Sequence, residues 1–298
     1  MSKREIDQKI IDLWDDYVHV HFDRRRFLTS AARTLGSVSA ATALLPFLVS
    51  DYANAAVVAE DDPGIAVERP TLAGATGDLK AYLATPKIAT GTRAGVLVVH
   101  QNRGLNPHIE DLARRLATQG YVALAIDFLS PLGGTPADEE AAMRLFAQLD
   151  LAKVVADAHA GIAFLRARDD SNCKVGALGF CWGGGIVNRA AADPVAVRAA
   201  NVDAAVVYYG APPPLESVPK ITAPLLLNYA DPARDTRLGK LLPAYEQALK
   251  AADICFKLYV YEGANHAFND DTQKARYDEV AAKLAWSRTL AFFKDYLA

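Results

Sequence analysis

Downstream of a polar stretch at residues 60–64, short apolar runs alternate with amphipathic ones to the end of the chain. Residues 95–100, 121–126, 174–178, 204–209, 225–229 and 256–261 read as strands buried on both faces. Between them, residues 107–119, 138–168 (broken near Asp150), 186–192 and 243–251 carry helical periodicity, and 273–297 closes the chain as an amphipathic helix. Asn106 caps the first of these helices, with Pro107 at its opening position. Ahead of the alternation, residues 65–67 and 79–83 read as strands around the turn Gly74-Ala75-Thr76-Gly77, an antiparallel edge. Repeated strand–helix alternation predicts a mostly parallel sheet with helices on both faces.

The strand at 174–178 runs into Gly179-Phe180-Cys181-Trp182-Gly183-Gly184-Gly185, and a helix follows. Glycines two residues either side of Cys181 give the G-x-S-x-G spacing with sulfur in place of oxygen. Such a turn is too tight for larger neighbours, and it lifts its central side chain to the carboxyl edge of the sheet. The first amides of the helix then face the sulfur, where they favour a thiolate and an oxyanion. A thiol so placed needs a base and a group to orient it. His266, in Glu262-Gly263-Ala264-Asn265-His266-Ala267-Phe268, follows the last strand and is the expected base. His100 ends a strand and is a lesser candidate. His19 and His21 lie before the arginine cluster described next, His108 opens a helix and His159 sits within one. The orienting carboxylate should follow residues 225–229, where Asp231 and Asp235 both stand, and propensity does not separate them.

The amino-terminal region reads as an address. Asp23-Arg24-Arg25-Arg26-Phe27-Leu28 resembles a twin-arginine export signal, an apolar stretch follows over 34–50, and Ala53-Asn54-Ala55 offers small residues to a signal peptidase. This order predicts periplasmic or secreted location, with residues 1–55 as an export region and 56–298 as the folded domain. The apolar stretch is short and holds Pro46, so no stable membrane span is expected after cleavage. Ile6, Ile10, Leu13, Trp14 and Tyr17 form one helical stripe, with Ile11 at its margin. That helix leaves with the signal if the signal is cut, and otherwise is free to pack on the domain or on a partner.

At 298 residues, 51% of them hydrophobic, the chain can bury a large core. A net charge of −3 with no basic stripe offers nothing to nucleic acid. Three scattered cysteines (Cys173, Cys181, Cys255) make neither a disulfide framework nor a zinc site, and no cofactor is expected.

From about residue 60 onward the chain resembles the dienelactone hydrolase family, α/β hydrolases with a Cys-His-Asp triad. The resemblance is carried by Gly179-Phe180-Cys181-Trp182-Gly183-Gly184, Gly104-Leu105-Asn106-Pro107, Asn265-His266-Ala267-Phe268 and Asp235-Thr236-Arg237. It implies the α/β-hydrolase fold, a small ester or lactone as substrate, and Asp235 rather than Asp231 as the acid. The family carries a glutamate beside the nucleophile, where His100-Gln101-Asn102-Arg103 here has Gln101. An amide cannot take the thiol proton, so activity should lean on His266, with the backbone amides of Asn102 and Trp182 as the oxyanion hole. Family members that bind anions use arginines. Here Arg103 is the candidate, with Gln101, to touch substrate, whereas Asn269-Asp270-Asp271 should repel an anion and favour a neutral or cationic ester. A non-catalytic periplasmic binding or scaffold protein, and a thioesterase, are the competing readings.

Overall fold

The computed structural model describes residues 6–21, 23–52, 56–87, 91–195 and 200–298. The expected cleavage site Ala53-Asn54-Ala55 lies outside them. Among the described residues nine strands form one sheet: β1 (Ile65–Glu68), β2 (Thr71–Gly74), β3 (Gly77–Pro86), β4 (Arg93–Val99), β5 (Val122–Ile126), β6 (Ser171–Phe180), β7 (Ala204–Tyr208), β8 (Leu225–Ala230) and β9 (Phe256–Tyr261). The order is β1-β3-β5-β4-β6-β7-β8-β9, with β2 also paired to β3. Strands from β5 to β9 run parallel, and β3 is antiparallel to each of its partners. This is the mostly parallel α/β-hydrolase sheet that the alternation predicts.

The helices over the sheet are α4 (Pro107–Ala117), α5 (Glu139–Phe146), α6 (Leu151–Arg166), α7 (Trp182–Ala192), the single turn α8 (Thr236–Gly239), α9 (Leu242–Ala251) and α10 (Glu279–Leu297). They cover both faces. A side chain at Gly176 would meet Phe293 and Leu297 of α10, and one at Gly179 would meet the Gly183 backbone of α7. Three positions apart on a strand means opposite faces. The expected break near Asp150 is present: Asp150 caps α6 through bonds from the Ala152 and Lys153 amides. Two expectations fall short. The edge holds a third strand, β2, too short to show a period. The closing helix begins at Glu279 rather than near Gln273, because the Asp270, Gln273 and Arg276 side chains fold the preceding residues into turns and Asp278 caps the helix.

The amino-terminal segment is folded. It consists of α1 (Gln8–Asp16), a π-helical turn (Tyr17–His21), α2 (Arg24–Leu35) and α3 (Val38–Leu48). The expected stripe is its core: Ile10, Trp14, Tyr17 and Val18 are buried with Phe27, Ala31, Ala41 and Leu48, and Met143 of α5 joins them. Asp15 pairs with Arg276, Asp51 with Lys274, and Arg24 of the arginine pair with Glu140. Among the described residues no single helix is long and apolar enough to cross a membrane; α2 and α3 would qualify only together, and they are bent by 112°.

Candidate functional site

Cys181 sits between β6 and α7 with φ +53° and ψ −116°, in the half of backbone space that L-residues avoid. The bend is held because its amide donates to the Tyr208 carbonyl at 2.9 Å and its carbonyl accepts from Gly185 at 3.1 Å. Gly179 and Gly183 are obligatory here. A Cβ at Gly179 would lie 2.2 Å from the Gly183 oxygen, and one at Gly183 would lie 2.3 Å from the Val99 oxygen. The sequence reading of a tight elbow thus has a steric cause: two backbones pass where only hydrogen fits. Trp182 is the first residue of α7, where amides lack a partner within the helix. The Asn102 backbone lies in the turn after β4.

His266 is buried on the loop after β9, and its Nδ1 is 2.6 Å from Asp235 Oδ2. Asp235 caps α8, accepting from the Leu238 amide with its other oxygen. Asp231 does something else: it accepts from the Gly263 and Ala233 amides and ties the β8 and β9 loops together. The geometry therefore puts Asp235, not Asp231, on the imidazole. His266 Nε2 is buried and makes no hydrogen bond.

The contact the sequence did not foresee comes from the amino-terminal segment. His19 Nε2 lies 3.1 Å from Cys181 Sγ, and its Nδ1 donates to the Asp15 carbonyl at 2.8 Å, with an Asp15 carboxylate oxygen at 3.2 Å. The two imidazoles pack edge to face, ring centres 4.6 Å apart. Cys181 Sγ and one ring nitrogen from each histidine lie within 4.8 Å of one another. No motif announces His19. The only local signal is the i, i+4 spacing of Asp15 and His19 on one helical face.

Charge follows this geometry. Burial pushes the Cys181 thiol up, but the two imidazoles outweigh it and hold the thiol well below its ordinary range. Burial pushes His266 down, and the Asp235 carboxylate, with Cys181 and Asp15, lifts it to about 9. His19 is raised likewise, by Asp15 and Cys181 against burial. For Asp235, burial works upward and the His266 charge wins, lowering it. All three shifts run toward a thiolate beside protonated imidazole.

The remaining candidates are placed as follows. Gln101 Nε2 donates to Asp270 at 2.9 Å and its oxygen faces Arg103, so its amide is engaged away from the sulfur. Arg103 is buried and pairs with Glu139 at 3.0 Å. Both ring nitrogens of His100 are spent on backbone, and its ring stacks on Trp182. The expectation that Asp270 and Asp271 repel an anion loses its basis. Asp270 is buried among Gln101, Thr272 and Gln273, while Asp271 pairs with Arg115 and His108. His108, Asp270 and Asp271 form a separate cluster in which the first two are buried and Asp271 is half-buried. Arg276, which sequence reading passed over, and Arg103 both interact electrostatically with the Cys181 sulfur. Cys173 and Cys255 are free and exposed.

Comparison with known proteins agrees with this frame. Residues 79–297 match the family model described as the dienelactone hydrolase family, and residues 1–34 match a separate one described as YqhI-like. A Bradyrhizobium protein named for 2-oxo-3-(5-oxofuran-2-ylidene)propanoate lactonase activity is 32% identical over 239 residues, covering 75% of this chain and 92% of its own. A Synechocystis protein provisionally named a carboxymethylenebutenolidase is 32% identical, covering 74% of this chain and 92% of its own. The crystal structure of a Klebsiella pneumoniae protein provisionally named a dienelactone hydrolase superposes with a TM-score of 0.68 at 32% identity, over 78% of this chain and 99% of that one.

Proposed function

The chain belongs to the dienelactone hydrolase family and is a hydrolase acting on ester or lactone bonds, and from that premise we propose that Cys181, His266 and Asp235 are its nucleophile, proton-transfer group and orienting acid. The observation carrying this reading is the positive-φ cysteine facing an imidazole whose far nitrogen is 2.6 Å from a buried carboxylate. In the proposed cycle the Cys181 thiolate attacks the carbonyl carbon, and the amides of Trp182 and Asn102 receive the oxyanion. As the carbon–oxygen bond breaks, the alkoxide takes the Nε2 proton of His266, leaving a thioester. Neutral His266 then takes a proton from water, hydroxide adds to the thioester, and the thiolate leaves with a carboxylic acid as product. Asp235 keeps the Nδ1 proton in place throughout.

Small esters and lactones are the proposed substrates. With Asp270 turned to Gln101, Thr272 and Gln273, and Asp271 paired with Arg115 and His108, the acidic pair gives no reason to prefer a neutral lactone over an anionic one. The Bradyrhizobium relative is named for such a compound. Export with the amino-terminal segment retained is proposed as well, on the arginine pair and the apolar run that follows it; fractionation of cells expressing the full chain checks it. For the catalytic reading, Cys181→Ala should lower turnover of an aryl ester by at least about a thousandfold. Retained turnover in a variant that melts like the native protein overturns it.

A further inference from the structure

The sulfur of Cys181 receives a hydrogen bond from outside the hydrolase fold. His19 stands 162 positions away in sequence, and its Nε2 is 3.1 Å from Sγ, while His266 Nε2 makes no hydrogen bond. His19 is fixed on every side. Its Nδ1 donates to the Asp15 carbonyl, and Asp15 in turn accepts from Arg276 Nη1 at 2.9 Å. The peptide just before it is gripped too: the Val18 carbonyl accepts from Asn102 Nδ2 at 2.7 Å. It lies in a π-helical turn, a departure from regular helix that is frequent at functional sites. The loop after β4 offers the sulfur no base of its own, because Gln101 is bound to Asp270.

We propose that His19 is a second catalytic histidine, a resident imidazolium that keeps Cys181 ionised, so that the amino-terminal segment is a working part of the active site and not a disposable leader. The inference rests on Cys181 being the nucleophile. The proton balance is simple. The thiol proton resides on His19 Nε2 through the whole cycle and neutralises Sγ both at rest and when the thiolate is expelled. His266 is thereby released to give its own proton to the alkoxide and to recover one from water. The charged groups around His19 are Asp15, Arg276, Cys181 and His266 with Asp235 behind it, and both imidazoles are raised against burial by the carboxylates facing them.

The test uses the full chain and a readout that does not require turnover. Alkylation of Cys181 by iodoacetamide across pH gives its thiolate pKa in the native protein, in His19→Gln and in His19→Gly. We expect that pKa to rise by at least about one unit in both variants and single-turnover acylation by an aryl ester at pH 7 to fall about tenfold or more. Added imidazole should restore His19→Gly. A purely covering role predicts the opposite, with alkylation and acylation as fast as in the native protein or faster, and that result overturns the proposal. Should His19→Gly melt early, His19→Gln carries the same comparison. The thiolate pKa stays readable even if Cys181→Ala retains turnover, so failure of the parent reading is seen separately. Intact mass gives a second check: the isolated enzyme must contain residue 19, and a mature chain beginning at Ala56 refutes the proposal.

Discussion

Two aspartate–histidine pairs end on one sulfur, and they are built in unlike ways. Asp235 and His266 come from separate loops at the carboxyl edge of the sheet, after β8 and β9, and each is held by a rigid neighbour. Asp15 and His19 lie one helical turn apart on a segment that packs against the domain through side chains such as Arg276, Lys274 and Glu140. The first pair is positioned by the core. The second is positioned by an interface, and its geometry is only as secure as that interface. A site of this kind gains a second positive charge at the thiolate at the expense of covering it: Cys181 is only 6% exposed.

The sharpest way to separate the two pairs is to remove the charge behind one of them. Asp235→Asn leaves the volume unchanged, but an amide neither holds the Nδ1 proton in place nor stabilises the imidazolium. kcat/KM for an aryl ester should fall by about two to four orders of magnitude. Asp231→Asn, which touches only loop amides, should leave the same ratio within about threefold of native, as expected for a residue whose bonds are structural. Equal losses in the two variants would mean that the Asp235–His266 pair has no special part in the chemistry.

Gln101 gives a second break point, with an effect on stability rather than chemistry. On sequence alone, Gln101→Glu promises to restore the family's missing base and speed acylation. The structure reverses that expectation. The Gln101 amide donates to Asp270, a buried carboxylate already held by Thr272 and Gln273. A glutamate would lose that donor and set a second negative charge against the first. Gln101→Glu should therefore lower stability by about 1–3 kcal/mol in urea unfolding without faster acylation. Faster acylation in a variant of native stability would show that the side chain turns toward the sulfur after all.

How far the sequence reveals this site depends on the length over which each constraint acts. The elbow was legible because Gly179 and Gly183 are required by contacts within one turn. His266 and Asp235 were legible by chain order, since parallel strands deliver successive loops to one edge of the sheet. Asp231 and Asp235 differ only in where the chain turns after β8, so propensity does not separate them and only the Asp-x-Arg resemblance favours Asp235. The acidic pair Asp270-Asp271 misled because pairing with His108, Arg115 and Gln101 is set by the fold and leaves no local mark. His19 carries no local mark for the same reason. Its partner lies across the whole domain, and an export-like pattern beside it gave the segment a sufficient explanation of its own.

Acidity offers the finest cut between a neutral base and a charged acid at His266. With its folded value near 9, against an ordinary imidazole value of 6.5, His266 enters catalysis carrying the proton it must give away. Turnover should stay level through neutral pH and decline about tenfold per unit once pH passes about 9, as that proton is lost before substrate arrives. A neutral base with an unshifted value would instead give rates that climb through 6.5 and stay high. Stability has the same sign. A raised histidine contributes fully below 6.5, and its contribution disappears as pH rises through about 9, so the alkaline side of the melting profile should weaken over that window. Asp235→Asn links this profile to the comparison of the two pairs, because the Asp235 charge is the chief influence lifting His266 against burial. Without it the alkaline limb of the residual activity should move down toward neutral pH, while the thiolate pKa, still set in part by His19, should move less. A limb that stays near 9 in that variant would place the titrating group elsewhere.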